Sequence, residues 1–327
     1  MLGTKAQANE AQRRYELVDF FGVGGGAVGA EAINEGGVVT IRSIVGLHAV
    51  DARTGAERLL SACNGCQAPG VNAAGDIAGF ERSRFGNFEG FVIRDGVRIA
   101  IPPFPGGDSV FAEGMNERGW VVGGAETADS FGRAFLFQEG AMRDLGFGGG
   151  GSFAMAVNNG GLIVGFNFSD DFTSQHAIAW RNGVVTDIGA SFAGSSRAQA
   201  VNERGTAVGF KWPPPSEPFV FHTAVFEDGE VVDLGTLPGD TNSQALAINN
   251  RGTIVGNSFD ENFRERAFIF QQGMMLDLNS LVLDAKGVFL LRAKGINNEG
   301  IIIAEGRGPD GTQHAVVLLP AEDQAAE

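Results

Sequence analysis

Apolar and polar residues alternate along this chain in short bursts of five or six residues, separated by clusters of Gly, Asn and Asp. Such a pattern predicts short β-strands joined by tight turns. The stretch from Ser243 shows the unit. Residues 243–249 (SQALAIN) predict a strand, A, and Asn250-Arg251-Gly252 a tight turn, since Asn and Gly tolerate left-handed backbone. Residues 253–258 predict strand B, and the polar stretch FDENFRE a loop. Residues 266–270 (RAFIF) predict strand C, Gln271-Gln272-Gly273 a turn, and MMLDL from Met274 strand D. Four such strands in succession make an antiparallel meander.

The unit recurs. A small residue, an apolar residue, Asn, two residues, Gly and a mostly apolar pair appear around Asn34, Asn72, Asn116, Asn158, Asn202, Asn249 and Asn297, at spacings of 38 to 48 residues. A four-stranded repeat of this period predicts an all-β, seven-bladed β-propeller, because one meander cannot bury both its faces and must stack on neighbours. Strand A supports the ring. Four residues before each asparagine stands Ala30, Ala68, Ala112, Ala154, Ala198, Ala245 or Ala293, and two before it always Ala or Gly. Such a face suits the innermost strand, where blades converge and volume runs out. The seventh copy ends after strand C (HAVVLL from His314), whereas Tyr15–Gly22 (YELVDFFG) matches strand D, with Asp19 against Asp144, Asp187, Asp233 and Asp277. The N-terminal strand is therefore expected to complete the last blade and close the ring. The division expected is a flexible tail over residues 1–14, a propeller over 15–320 and a flexible tail over 321–327.

Composition narrows the partners. Fifty glycines fit the many turns, and the net charge of −15 repels phosphate backbones, so neither nucleic acid nor an anionic membrane is expected. The first twenty residues (MLGTKAQANEAQRRYELVDF) hold no apolar segment like that of a secretory signal, and no run reaches the roughly 18 apolar residues of a membrane helix. A soluble, cytoplasmic monomer is expected. Cys63 and Cys66 form a lone C-x-x-C without a following helix, which predicts a structural or incidental pair before a redox-sensitive disulfide.

The repeat also resembles that of the HAF-repeat proteins. Asp233-Leu234-Gly235-Thr236-Leu237-Pro238-Gly239 matches its first part, Ala245 to Gly256 its second and His176-Ala177-Ile178-Ala179-Trp180 its third. The resemblance covers nearly the whole chain. It implies an extracellular protein and no particular reaction.

Catalytic residues should break a repeat rather than embody it. His48, His176, His222 and His314 all open strand C of different blades, too far apart to share a metal at about 2 Å, so a structural hydrogen bond to neighbouring backbone is expected of them. The strand D aspartates are expected to accept turn amides. Neither a metal nor a cofactor is expected. Strand A does break the repeat on its second face. The third residue before each asparagine is Glu31, Pro69, Glu113, Met155, Gln199, Leu246 or Lys294, and the fifth is Gly29, Gln67, Phe111, Phe153, Arg197, Gln244 or Arg292. Charges do not pack unpaired between blades, so the central channel is the expected home of Glu31, Glu113, Arg197, Arg292 and Lys294. Ligand contacts are expected from Gln67, Phe111, Phe153, Gln199 and Gln244. The expected function is a propeller that holds a small molecule or peptide in its funnel. The alternative is a metal-independent lyase, cyclase or hydrolase with Glu31 or Glu113 as base and Arg197, Arg292 or Lys294 as electrostatic clamp. A blander outcome has Glu31 and Lys294, in ring-adjacent blades, forming a channel salt bridge.

Overall fold

The computed structural model describes residues 13–321 apart from 64, 130 and 131. The expected tails lie outside the described residues except for Arg13, Arg14 and Ala321. Seven four-stranded antiparallel sheets make up the molecule, with only two single 3-10 turns, Val23–Gly25 and Leu278–Ser280, as helix among the described residues. The sixth blade runs Asn242–Ile248, Ile254–Phe259, Glu265–Gln271 and Met274–Asp277, within a residue or two of the bounds expected from sequence.

Tyr15–Asp19 closes the ring. It lies antiparallel to Gln313–Pro320, with Tyr15 opposite Pro320 and Asp19 opposite Val316. Its free edge is capped too, because the Tyr15 amide donates to Leu281 O (3.0 Å) and the Leu283 amide to Tyr15 O (2.9 Å). The seventh sheet therefore has no open edge beside Tyr15.

Burial follows the ring. The core divides into seven apolar groups, each shared by two adjacent blades, from the Val122–Trp180 group between blades three and four to the Phe20–Val317 group across the closure. The seven strand A alanines are fully buried.

The repeat asparagines explain why the phrase recurs. Each Oδ1 accepts the backbone amide four residues on, from Val38 in the first blade to Ile301 in the seventh, and so fixes its own turn. The Nδ2 groups do something further. Asn34 donates to Asn72 O, Asn116 to Asn158 O, Asn158 to Asn202 O, Asn202 to Asn249 O, Asn249 to Asn297 O and Asn297 back to Asn34 O, over 2.8–3.3 Å. Only Asn72 departs, donating to Asp76 within its own turn. A second series lies alongside, in which the amide after six of the seven asparagines donates to the side chain at the same position one blade on, as Asn159 does to Glu203 and Asn298 to Glu35; Ala73 of blade two offers no acceptor to the Glu35 amide.

Every inner strand carries a bulge just before its asparagine. In the third blade Ala112 pairs with Gly123 and Gly114 with Val122, which leaves Glu113 unpaired. The bulge presses the inner strand onto the next one. A Cβ on Gly123 would sit 1.8 Å from Phe111 O, and on Gly79, Gly165, Gly209 or Gly256 within 2.0–2.1 Å of the equivalent carbonyl. Ile41 and Ala304 replace that glycine in blades one and seven, and those two inner strands each contain a second bulge.

The asparagine circle makes an asymmetric prediction. Asn158→Ala removes an inter-blade donor and the acceptor of the Leu162 amide, and should destabilise the fold by about 1–3 kcal/mol. Asn72→Ala breaks no inter-blade bond and should cost less. Urea denaturation of the two variants checks this; equal losses would mean that the inter-blade bond contributes nothing.

Candidate functional site

The bulge is what builds the central channel. The unpaired residue of each inner strand is Glu31, Pro69, Glu113, Met155, Gln199, Leu246 or Lys294, and all seven line one cavity of about 460 Å³, with Gln67 beside them. A bulge bends its strand and re-aims the extra side chain; here it aims it at the axis. Around the ring, polar residues from blades one, three, five and seven alternate with Pro69, Met155 and Leu246.

The charges within are unequally matched. Glu31 is buried and receives Arg42 Nε at 3.0 Å and Lys294 Nζ at 3.2 Å. Lys294 also lies 3.4 Å from Glu305, whose other oxygen is 3.7 Å from Arg292 Nε. The salt bridge between Glu31 and Lys294 is thus one link in a longer chain. Glu113 has no hydrogen bond or ion pair among the described residues. Burial first, and then the charge of Glu31, push its carboxyl up to about 7, against a smaller lowering by Lys294.

The fifth residues before the asparagines behave differently. They lie ahead of the bulge, and four of them, Phe111, Phe153, Arg197 and Arg292, reach back to the preceding blade, so Arg197 and Arg292 are not in the channel where the sequence placed them. Phe111 packs on Phe80 (5.3 Å) and Phe88 (4.6 Å) of blade two. Phe153 lies 6.2 Å from Phe111 and fills the space left by Gly124 and Gly132 of blade three. Arg197 bonds Gln175 and stacks 4.3 Å over Phe166, both of blade four, and also faces Phe210 and Trp212 of its own blade. Burial lowers the pKa of that guanidinium. Arg292 Nε donates to Glu265 of blade six at 2.8 Å, while Gln244 donates to Asn257, which donates in turn to Glu265. The channel therefore opens between two unlike half-rings. Blades two to five contribute an aromatic arc. Blades six, seven and one contribute a polar chain, Gln244, Asn257, Glu265, Arg292, Glu305, Lys294, Glu31 and Arg42, in which three carboxylates meet three cations.

Of the residues singled out from sequence, Glu31, Glu113, Lys294, Gln67 and Gln199 converge on the channel, whereas Phe111, Phe153, Arg197, Gln244 and Arg292 form the walls between blades. The partners Arg42, Phe80, Phe166, Phe210, Asn257 and Glu305 escaped sequence reasoning. All stand eight residues after a repeat asparagine, a position as variable from blade to blade as the two on strand A.

The repeat histidines and aspartates belong to the scaffold. Each strand D aspartate accepts the amide two residues on, as expected. The histidines bond side chains rather than the backbone: His176, His222 and His314 place Nδ1 within 2.8–3.0 Å of those carboxylates, Asp187, Asp233 and Asp19, while His48 lies 2.8 Å from Glu57 and from Ser43 Oγ. Cys63 and Cys66 form a disulfide.

No protein-family profile matches this chain, and no curated protein matches its sequence. Solved structures do. The molecule is a seven-bladed β-propeller. The β-propeller domain of the Trilobed protease from Pyrococcus furiosus superposes with a TM-score of 0.60 at 10% identity over 92% of this chain and 100% of that one. That propeller is described as an open velcro, whereas here the N-terminal strand closes the ring. The extracellular domain of a putative one-component system from B. thetaiotaomicron gives 0.55 at 11% identity, covering 93% of this chain and 39% of that one. An acylaminoacyl peptidase from Pyrococcus horikoshii gives 0.50 at 12% identity, with 88% and 52% covered. At such identities the likeness extends to the fold alone. No helix among the described residues is long and apolar enough to cross a membrane.

Glu113 gives the site a pH signature. Its carboxyl holds a proton in the folded chain up to about pH 7 but releases it near the usual 4.5 when unfolded. Between those values the folded state binds more protons, so this group's contribution to stability falls as pH rises. Glu113→Gln should remove that loss, making the variant more stable relative to the parent at pH 8 than at pH 5. Denaturant titrations at the two pH values check it; a constant difference would mean that Glu113 titrates normally.

Proposed function

We propose that this chain is a ligand-binding propeller of the HAF-repeat kind, which takes a small molecule or the end of a peptide into its central channel. The observation that carries the reading is Glu113: every other charge at the channel has a partner, and this carboxyl has none. A half-buried carboxyl without a partner is costly to ionise unless something else completes it. The chemistry that would do so is a hydrogen-bond donor or cation, an amine or hydroxyl on a ligand whose other side rests against Met155 and Leu246. Gln199 and Gln67 offer further polar contacts. Arg197 and Arg292 then act by holding the walls rather than by clamping an anion.

The test uses primary amines and amino sugars as probes in thermal-shift titrations. An amine bound by Glu113 should gain affinity as pH rises from 6 to 8, because the carboxylate form is the acceptor, and Glu113→Gln should abolish the gain. Equal affinity in parent and variant would sink the reading. A second reading, a metal-independent enzyme in the same channel, draws on one observation: a carboxyl that titrates near 7 suits general acid–base work. It expects Glu113→Gln to bind its substrate and lose turnover.

The same reading bears on location. A disulfide persists in oxidising compartments, so Cys63–Cys66 favours the extracellular setting that the HAF resemblance implies over the cytoplasm. Alkylation of the protein drawn from its native cells without reductant should leave both cysteines unlabelled; two labelled thiols would return the protein to the cytoplasm.

A further inference from the structure

The loops joining strands B and C leave the blades on the face where each strand A begins, away from the asparagine circle. In blades four, five and six these loops each present an outward phenylalanine: Phe172 is 48% exposed, Phe219 67% and Phe263 63%. They put large exposed apolar side chains on one sector of the rim, across three consecutive blades.

Backbone geometry shows that the fold does not require Phe263. Residues 260–263 and 169–172 make the same turn, in which the fourth amide donates to the first carbonyl and the fourth residue takes a positive φ, 57° at Phe263 and 58° at Phe172. Blades two and seven build that turn with glycine at the fourth place, Gly86 at 98° and Gly311 at 84°. Glycine adopts this conformation without strain and a bulky side chain does not. Blade six thus places an exposed phenylalanine where sister blades use the easier residue, whereas Phe172 of blade four also rests against Phe168 (5.8 Å) and over Gly150. Strain kept at a solvent-facing position points to a role outside the fold.

Charge identifies the occupant. The three loops, residues 169–174, 213–221 and 260–264, contain five carboxylates (Asp170, Asp171, Glu217, Asp260 and Glu261) against the single Arg264. Hydrogen bonds within the turns hold Asp171 at about 2 and Asp260 below the usual range, so both are ionised at neutral pH. Anionic turns between aromatic rings repel acidic and phosphorylated surfaces. They match lysine and arginine, whose aliphatic stems lie on the rings while their charged ends meet the ring faces and carboxylates.

From these observations we infer that the B–C rim of blades four to six docks a lysine- or arginine-rich segment of a partner protein with apolar residues interspersed. The surface is separate from the channel, and the inference does not depend on Glu113.

The test uses the full chain and fluorescent peptides of alternating lysine and leucine, lysine and serine, or glutamate and leucine. The lysine–leucine peptide should bind in fluorescence anisotropy, the lysine–serine peptide about tenfold more weakly, and the glutamate–leucine peptide not at all. Phe263→Gly should weaken the first by about tenfold while leaving the melting temperature unchanged or higher, since glycine relieves the turn. Asp171→Asn with Asp260→Asn should weaken it further and reduce its salt dependence. Unchanged affinity in Phe263→Gly would overturn the inference. So would binding of anionic phosphatidylglycerol vesicles, lost in Phe263→Gly, without binding of the peptide, because the rim would then read a membrane.

Discussion

A ring of seven meanders holds together only if each blade fixes the angle and height of the next, and here the repeat asparagines do so at six of the seven seams. One side chain does two things at once. Its oxygen closes the local turn, and its amide nitrogen reaches the backbone carbonyl of the following blade. Because the last link runs from Asn297 to Asn34, the circle is also the registration mark for closure, placed at the opposite end of the inner strands from the B–C loops. Apolar packing between blades supplies most of the burial, but it is non-directional. The hydrogen bonds give it a geometry.

That fixed circle leaves the rest of the inner strand room to vary. Beyond it comes the bulge, with an unpaired residue aimed at the axis, and beyond the bulge the residue that leans on the preceding blade. The strand thus does three jobs along its length: registration at the asparagine, channel lining at the bulge and blade-to-blade wedging ahead of it. The asymmetry of the mouth arises at the third level, where aromatic wedges serve blades three and four and ionic ones blade seven. Arg197 sits where the two kinds meet, stacked on Phe166 on one side and facing Phe210 and Trp212 on the other.

Most of the architecture was legible in the sequence because it is repeated. Seven asparagines, seven alanines and a spare strand at Tyr15 fix the number of blades, the inner face and the seam. The channel was partly legible: variability on strand A picked out Glu31, Glu113 and Lys294. It misplaced Arg197 and Arg292 because simple alternation puts the third and fifth residues before the asparagine on one face, and the bulge between them breaks that alternation. Composition does not announce a bulge directly. Its trace is the glycine seven residues after the asparagine in five blades, which has meaning only once the inner carbonyl is seen to press against it. The lack of a partner for Glu113 could not be read at all, since it depends on where Arg42 and Glu305 direct their own side chains.

The bulge also bears on how such a protein changes over generations. The extra residue at this bulge is excused from the ladder and faces a void, so neither strand pairing nor core packing dictates its identity. Glu, Pro, Met, Gln, Leu and Lys all occupy it within this one chain. Seven sites with that freedom, arranged around a single cavity, let point mutations rewrite the chemistry of the channel lining while leaving the strand ladder untouched. Channel chemistry in such rings is therefore free to drift faster than blade architecture, and two propellers with superposable strands need share no chemistry at the axis.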